Sequence, residues 1–297
     1  MKFGAVPTVE GLDLSLPPDH ADTPRILESG RRKGPVQIHV GCAKWNKQDL
    51  KNFYPKGTKD ELAYYATQFN AIELNATFYR QFPSSQLTEW AKKVPQGFRF
   101  YPAVVQTLSN ATGLKKMGAL VDDHVHSVRH LGDGLGAAFL QMPENFSPAN
   151  GALLEPFLRY WPKNLPLALE FRHTDWYNND VVAEQLCELL EKYRVMNIIT
   201  DTAGRRDLLH MRLTTPSAFV RYVGANDPES DRKRLDEWVV RLKSWVEMGL
   251  EEIDFFVHQN HELESPLLAA EFIRKVNKAL GTDLNVPHTL DGGLFES

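Results

Sequence analysis

The sequence predicts an α/β protein, a (β/α)8 TIM-like barrel with an N-terminal extension. From residue 36 to residue 281, short apolar runs typical of buried strands alternate with longer amphipathic runs typical of helices. The short runs number eight, and a span of about 245 residues is the usual length of one such barrel. An open doubly wound sheet is the alternative, but the glycine-rich dinucleotide turn that such sheets often carry is missing from the sequence.

The predicted elements follow one another in a regular order. The strands are expected at 36–41, around Ile72, and at 98–101, 135–141, 167–171, 197–200, 218–223 and 253–257. The helices are expected from Thr58 onward and at 84–94, 114–131, 153–160, 181–193, 231–248 and 266–280. Thr58 is a candidate N-cap because Glu61 follows three residues later, as in a capping box. Residues 204–215 show no periodicity and are predicted to be irregular.

The chain is predicted to comprise an arm, one domain and a tail. Residues 1–35 contain Pro7, Pro17, Pro18 and Pro24, which favour an extended arm with a short helix near residues 25–30. Residues 36–281 form the predicted barrel domain, and residues 282–297 form a loose tail. No internal repeat suggests a second domain.

The amino-acid composition and the net charge limit the classes of protein to which this chain can belong. The 297 residues are 42% hydrophobic and 24% charged, which is an ordinary globular composition. A net charge of -4 disfavours nucleic-acid binding by bulk electrostatics, although a local basic strip stays compatible with it. Cys42 and Cys187 form no CxxC motif, so a reducing, cytoplasmic location is expected. Neither an apolar run of about 18 residues nor a signal-peptide core is present, so no membrane association is expected.

The stretch 69–79 carries the first functional signal. In its strand, Ile72 and Leu74 point to one side, while Glu73 and Asn75 point to the other. A carboxylate and an amide on one face, followed by the aromatic Tyr79, predict part of a pocket. The alternative is that Glu73 only holds a neighbouring loop in place.

Ionisable residues concentrate where the predicted strands end. The carboxyl ends of barrel strands meet at one face, which is where active sites of this fold lie. The ionisable residues at these ends are Glu73, Glu170, Arg172, Asp201, Arg221 and His258. The polar and aromatic residues there are Trp45, Asn75, Tyr79, Gln141 and Asn260. A functional site is favoured over an ion-pair network that only fills the barrel, because buried charges are costly and a hydrophobic filling is often as stable.

Three kinds of chemistry are compatible with these residues. Glu73 and Glu170 are candidates for a general acid and base, assisted by Asp201 and His258. The same carboxylates with His258 could hold one divalent metal ion. Arg172 and Arg221 could bind a carboxylate or phosphate group of a small-molecule ligand. The polar and aromatic residues at the strand ends would then line the binding pocket.

Other histidines are interpreted as structural. Asp122, His126 and His130 are spaced like metal ligands on one predicted helix, but that helix lies outside the barrel, and His124 is expected to be polar surface. His39 alternates with apolar neighbours and is predicted to be an interior, hydrogen-bonded histidine.

Ordered motifs between residues 37 and 280 resemble those of a known family. They are Gly41-Cys42-Ala43-Lys44-Trp45, Tyr54-Pro55, Glu73-Leu74-Asn75-Ala76-Thr77-Phe78-Tyr79, Pro95-Gln96-Gly97-Phe98-Arg99-Phe100, Gln141-Met142-Pro143, Glu170-Phe171-Arg172-His173 with Trp176, Asp201, and Val220-Arg221-Tyr222-Val223-Gly224. Together they resemble the YecE-like family, a family of unknown function. The resemblance implies a TIM-like barrel but no particular reaction.

The chain departs from that pattern after the third strand. The resemblance implies a lysine in the strand and a Thr-His or Ser-His pair beyond it, where this chain has Ala103 and Asn110. If those family residues are catalytic, this chain has lost or changed the activity.

The leading hypothesis is therefore a cytosolic enzyme, a hydrolase or isomerase, acting on a small polar substrate such as a sugar, polyol or phosphate ester. A non-catalytic small-ligand-binding barrel is the alternative, and a metal-dependent nucleic-acid-processing barrel is the third hypothesis.

Overall fold

The computed structural model describes residues 3–30, 32, 34–50 and 52–289. Strands and helices alternate along the chain, which confirms the predicted α/β class. The described strands are β1 Gln37–Cys42, β2 Ala71–Leu74, β3 Arg99–Pro102, β4 Ala138–Gln141, β5 Leu167–Glu170, β6 Met196–Asn197, β7 Ile199–Thr202, β8 Ser217–Gly224 and β9 Glu252–Gln259. The described α-helices are α1 Thr23–Glu28, α2 Glu61–Gln68, α3 Ala76–Tyr79, α4 Ser84–Lys92, α5 Ala111–Lys115, α6 Met117–Val128, α7 Leu154–Tyr160, α8 Asp180–Tyr193, α9 Pro228–Glu247 and α10 Ser265–Leu280.

The strands form two parallel sheets instead of the single closed sheet that the sequence predicts. One sheet has the order β3-β2-β1-β9-β8-β7, and the other has the order β4-β5-β6. Backbone hydrogen bonds of 2.8 Å from Gly136 to Phe100 and from Val104 to Phe139 link β3 to the region of β4. Among the described helices, none has both the length and the apolar character needed to cross a membrane.

The predicted sixth strand is divided between the two sheets at Ile198. β6 pairs with β5 before this residue, and β7 pairs with β8 after it. The segment 204–215, irregular as predicted apart from a 3-10 turn at Arg206–Leu208, explains the division. Its His210 Nε2 lies 3.0 Å from the Ile198 carbonyl, and its Thr214 hydroxyl donates to the Val195 carbonyl at 2.6 Å. These side chains thus form hydrogen bonds with backbone groups that would otherwise pair with a neighbouring strand.

Two predicted helix boundaries are wrong for local reasons. Helix α2 is capped by Asp60, whose carboxylate accepts from the Ala63 N–H at 3.0 Å, and not by Thr58. The Thr58 hydroxyl instead donates to the Pro55 carbonyl. The predicted helix 114–131 is divided into α5, α6 and a 3-10 helix at Arg129–Gly134. Asn110 caps α5 by accepting from the Gly113 N–H at 2.9 Å.

Glycine is required where β1 and β2 approach each other. A Cβ atom added at Gly41 would lie 2.1 Å from the carbonyl oxygen of Ala71, which is far inside van der Waals contact. The close pairing of Gly41 with Ala71 brings the amino end of β2 beside the carboxyl end of β1. This pairing sets the position of Glu73, two residues further along β2.

An interior apolar cluster receives side chains from both sheets. Its members are Ala71, Tyr101, Ala103, Ala137, Phe139, Ala168, Met196, Ile198, Phe219 and Phe256. On β9, Asp254, Phe256 and His258 follow one another at every second position and therefore share one face. Polar residues thus lie at both the amino and the carboxyl ends of the strands, with this cluster between them. The other face of the six-stranded sheet packs against helices, including the fully buried Trp238 and Trp245 of α9.

Candidate functional site

Five buried or half-buried residues form one connected polar group, called here the carboxyl-end network. They come from four strands and the turn after β5, and they are Glu73, Glu170, Arg172, Arg221 and His258. Strand alternation places the four strand side chains on the same face as the interior apolar cluster, and Arg172 joins them through Glu170. The sequence predicted that these five residues would meet, and the geometry brings them together.

Arg221 lies at the centre of the carboxyl-end network. Its Nε donates to Glu73 Oε2 at 3.0 Å, and its second terminal nitrogen donates to Glu73 Oε1 at 2.8 Å. The remaining terminal nitrogen bonds Glu170 and also donates to Gln141 at 3.1 Å. Asn75 donates to Glu73 Oε1 at 2.7 Å, so this predicted residue also contacts the network. The bidentate pairing holds the two carboxylates on either side of one cation.

Glu170 binds a second cation. Arg172 Nε donates to Glu170 Oε1 at 3.0 Å, and the Thr200 hydroxyl donates to the same oxygen at 2.9 Å. Glu170 is 1% exposed, whereas the Arg172 side chain is 11% exposed. Arg172 is therefore the cation of the network that is nearest to solvent.

Both glutamates are held in the ionised form. Burial alone would raise the pKa of Glu73, but the charge of Arg221 and the contact with His258 hold it well below its ordinary value. Burial likewise opposes ionisation of Glu170, and the charges of Arg172 and Arg221 lower its pKa. A carboxylate with a lowered pKa is a poor general acid at neutral pH. The predicted acid–base pair of two glutamates is thus not what this geometry favours.

His258 retains an unused nitrogen. Its Nε2 lies 3.1 Å from Glu73 Oε2, and an ionised carboxylate can only accept, so Nε2 carries the hydrogen. Its Nδ1 is buried and has no hydrogen-bond partner among the described residues. The same holds for the side-chain oxygen of Asn260, two residues further on. Buried polar atoms are rarely left without partners, so two of them at one strand end indicate a place for a ligand or water.

Asp201 does not join the carboxyl-end network. It is fully buried and binds Arg234 at 2.7 Å, Trp238 Nε1 at 2.7 Å and Arg206. Arg234 and Trp238 belong to α9, so Asp201 faces the helix layer. Strand alternation explains this placement, because the preceding Thr200 occupies the inward position and reaches Glu170.

Two predicted aromatic residues also lie apart from the network. Trp45 packs edge-on against Trp90 of α4, with ring centroids 5.2 Å apart. Tyr79 is 77% exposed at the end of α3 and contacts the ring of Phe78. Neither has a described hydrogen bond or ring contact with a network residue. Ala103, at the position where the family resemblance implies lysine, is buried in the interior apolar cluster.

The N-terminal arm reaches the site, which no local sequence signal indicated. The ring of Phe3 lies over the Arg172 guanidinium, 3.9 Å from ring centroid to the central carbon. The Gly4 carbonyl accepts from the Gly204 N–H at 2.9 Å, and Gly4 has a φ of +69°. Arg206 donates to the backbone carbonyls of two further arm residues, Leu14 and Ser15. The arm thus covers the most exposed cation of the network.

Two other groups are less suited to binding a ligand. A surface cavity of about 780 Å³ is lined partly by α8 and by Arg212, but Arg212 is already bound by Glu184 and Glu191. On α6, His130 Nδ1 lies 2.9 Å from the His126 carbonyl, so this nitrogen is directed at the helix backbone. His124 is buried and not at the surface, contrary to the sequence-based expectation.

One family model and several curated proteins match this chain by sequence. A family model described as "Protein of unknown function DUF72" matches residues 39–289. The chain is 24% identical over 264 residues to UPF0759 protein YecE of Escherichia coli K12, covering 82% of this chain and 94% of that protein. It is 26% identical over 159 residues to UPF0759 protein YunF of Bacillus subtilis 168, covering 48% and 52%.

Solved structures of the same description are similar in fold. The crystal structure of a DUF72 family protein from Enterococcus faecalis V583 matches with a TM-score of 0.63 and 23% identity, covering 86% of this chain and 100% of that one. One from Thermotoga maritima MSB8 matches with a TM-score of 0.65 and 21% identity, covering 81% and 99%. None of these names assigns an activity.

Proposed function

We propose that this chain, which belongs to the DUF72 family of proteins of unknown function, is an enzyme. It binds a small polar substrate through an anionic group of that substrate and transfers a proton to or from the substrate. His258 is the proposed general base, and Glu73 orients it. The observation that carries this proposal is the buried Nδ1 of His258, which has no partner among the described residues, while the other ring nitrogen is held by Glu73. A phosphate ester or a sugar acid is the proposed substrate class.

In the proposed function, the two sheets together act as an interrupted (β/α)8 barrel. The hydrogen bonds linking β3 to the region of β4 support this arrangement, as does the division of one strand between β6 and β7. Counting β6 and β7 as one strand leaves eight. The carboxyl-end network then occupies the end of the barrel where active sites of this fold lie.

His258 is suited to accept a proton because Glu73 fixes its tautomer. With the hydrogen on Nε2, Nδ1 presents a lone pair. When Nδ1 takes a proton from the substrate, the resulting imidazolium is stabilised by the ionised Glu73 beside it. Arg221 keeps Glu73 ionised, so it acts as a positioning residue and does not contact the substrate in this proposal.

Arg172 is the proposed anchor for the anionic group. It lies at the solvent side of the network, and its guanidinium is planar, permanently charged and suited to carboxylate or phosphate. Gln141, Asn75 and Asn260 are half-buried around the same strand ends and supply the neutral polar contacts. Asp201 has the structural role of joining β7 to α9.

A non-catalytic ligand-binding protein is the second candidate. It is favoured by Ala103, which stands where the family resemblance implies lysine, and by the complete mutual pairing of Glu73, Glu170 and Arg221. In this case a ligand would bind at Arg172 and stabilise the protein without being converted.

The proposed function is tested by a screen of phosphorylated and carboxylated small molecules for thermal stabilisation of the full chain. Ligands that bind are then incubated with the protein in D2O, and NMR is used to detect deuterium incorporation or a product. We expect Arg172→Gln to weaken binding by about 10- to 100-fold, because a charge-assisted hydrogen bond contributes roughly 1.5–3 kcal/mol. The matched control Arg129→Gln alters an exposed arginine at the start of the 3-10 helix Arg129–Gly134, where its side chain donates to Asn164, and leaves binding unchanged.

Three outcomes of this screen are informative. Binding and conversion that depend on Arg172 support the enzyme. Binding that depends on Arg172 without conversion supports the second candidate. Binders that are neutral, or that bind Arg172→Gln as tightly as the natural protein, contradict the assignment of this site.

Removing the ring of Phe3 is expected to tighten anion binding. In Phe3→Ala, the Arg172 guanidinium loses a cation–π contact that contributes about 0.5–1 kcal/mol, and it becomes more accessible. The dissociation constant for a ligand from the screen should fall by about two- to fivefold, measured by isothermal titration calorimetry. Leu12→Ala, at an exposed position of the same arm, is the control and should leave affinity unchanged. Weaker binding in Phe3→Ala would show that the ring contacts the ligand instead of competing with it.

A further inference from the structure

A second polar group lies at the amino ends of the strands, on the far side of the interior apolar cluster from the proposed active site. It consists of His39 on β1, Tyr101 on β3, and Glu252 and Asp254 on β9, and is called here the amino-end cluster. Register explains the meeting of two of its members, because β1 and β9 run side by side with His39 paired to Asp254. Tyr101 reaches them from β3 across the interior.

The other polar groups of the amino-end cluster surround one atom, the Nδ1 nitrogen of His39. His39 Nδ1 lies 2.9 Å from Asp254 Oδ1, 3.3 Å from Glu252 Oε1 and 2.9 Å from the Tyr101 hydroxyl. Tyr101 also bonds Asp254 Oδ1. The possible ligand atoms of His39, Glu252 and Asp254 all lie within 4.8 Å of one another. In the part of the chain that the structure describes, no other three His, Cys, Asp or Glu residues come so close together.

Hydrogen bonds alone do not explain why so many polar atoms of the amino-end cluster lie this close together. Four close polar pairs join these atoms, but only two hydrogens, one on Nδ1 and one on the tyrosine hydroxyl, are available to bridge them. In addition, the second carboxylate oxygen of Asp254 is buried without a described partner, in a residue that is 1% exposed. An unpaired buried carboxylate oxygen is costly unless a cation or donor compensates it.

We propose that the amino-end cluster is a structural binding site for a divalent transition-metal ion, with Zn²⁺ as the representative ion. One imidazole and two carboxylates are a ligand set that zinc accepts, and the imidazole favours it over Mg²⁺. The Glu252 side chain is 34% exposed, so an ion has a route from solvent. The site joins β1 to β9 and, through Tyr101, to β3. Because it lies at the amino ends of the strands, its expected role is stability and not catalysis.

This site differs from the metal site that the sequence suggested at the carboxyl ends. There, Glu73 and Glu170 are each paired with Arg221, which occupies the space between the carboxylates. At the amino ends, the structure describes no arginine or lysine bonded to Glu252 or Asp254 by a salt bridge. Among the described residues, His39 contacts both carboxylates and the Tyr101 hydroxyl contacts Asp254, which leaves these carboxylates suited to a cation.

The experiment uses the full chain after treatment with a chelator and dialysis. Calorimetric titration with ZnCl2 is expected to show one equivalent bound, with a rise in Tm that MgCl2 at the same concentration does not produce. Glu252→Gln, at a partly exposed position, should weaken Zn²⁺ binding by at least about tenfold and remove the rise in Tm. The protein without metal should still be folded, as judged by circular dichroism.

Two control variants locate the bound ion. His126→Ala removes an exposed histidine of α6, and Glu89→Gln alters an exposed carboxylate that pairs with Lys92. Both variants should leave Zn²⁺ binding unchanged. Loss of binding in His126→Ala with retention in Glu252→Gln would place the ion on α6 and overturn the proposal. Absence of saturable binding would also overturn it, since a proton would then suffice to hold His39 between the carboxylates.

Discussion

Replacing Arg221 by methionine is expected to lower the free energy of unfolding by about 3–5 kcal/mol, which is the usual cost of removing one partner of a buried ion pair. Arg221 is 1% exposed and binds both Glu73 and Glu170. Without it, two buried carboxylates face each other, and the described side-chain partners left to Glu73 are Asn75 and His258. Urea unfolding at neutral pH, followed by circular dichroism, measures the change.

The size of this effect comes from the uncompensated charge and not from the loss of an arginine as such. The triple variant Arg221→Met, Glu73→Gln, Glu170→Gln removes all three charges and should recover most of the lost stability. The control Arg159→Met removes an exposed arginine with one carboxylate partner and should cost less than about 1 kcal/mol. If the single and triple variants were equally unstable, packing volume and not charge would explain the role of Arg221.

Replacing His258 by glutamine should lower kcat by about 10²- to 10⁴-fold, the usual contribution of a general base, once a substrate is found. Glutamine can still donate a hydrogen bond to Glu73, but it has no basic nitrogen at the position of Nδ1. Binding of the anionic group should change little, because Arg172 is unaltered. Stopped-flow or NMR assays of turnover, with binding measured separately by calorimetry, distinguish these two effects.

His261→Gln is the matched control for this prediction. His261 lies three residues beyond His258 and is exposed, and its described hydrogen bonds are made by its backbone. It should retain full turnover. If His258→Gln also retained full turnover, the proposed base would be wrong, and the second candidate or another proton acceptor would have to replace it.

Arg221→Met and His258→Gln together distinguish a functional site from an ion-pair network that only fills the end of the barrel. If the network only filled the interior, Arg221→Met would still lower the stability of the protein, but His258→Gln would not change the conversion of any ligand. A functional site requires both effects, because the same carboxylate, Glu73, that Arg221 holds ionised also orients His258. His258 Nδ1 and the Asn260 side-chain oxygen, which lack partners in the part of the chain that the structure describes, favour the functional site.

The sequence by itself determined the α/β class and most members of the carboxyl-end network. Strand periodicity and the rule that parallel strands place their carboxyl ends together were sufficient to bring Glu73, Glu170, Arg221 and His258 to one site. These rules depend only on local alternation and chain direction, which a single sequence displays. They also predicted His39 as an interior, hydrogen-bonded histidine, which the structure confirms.

Only the tertiary structure decided the pairing of these residues and the residues that lie outside the network. A shift of one position turns a strand residue to the opposite face, so the inward Thr200 and the outward Asp201 could not be assigned until β7 was paired with β8. The pKa of Glu73 depends on a cation 148 positions away in the chain. The contact of Phe3 with Arg172 and the meeting of His39, Glu252 and Tyr101 are equally long-range. Such contacts depend on how the sheets and the arm pack together, and local sequence patterns carry no information about that packing.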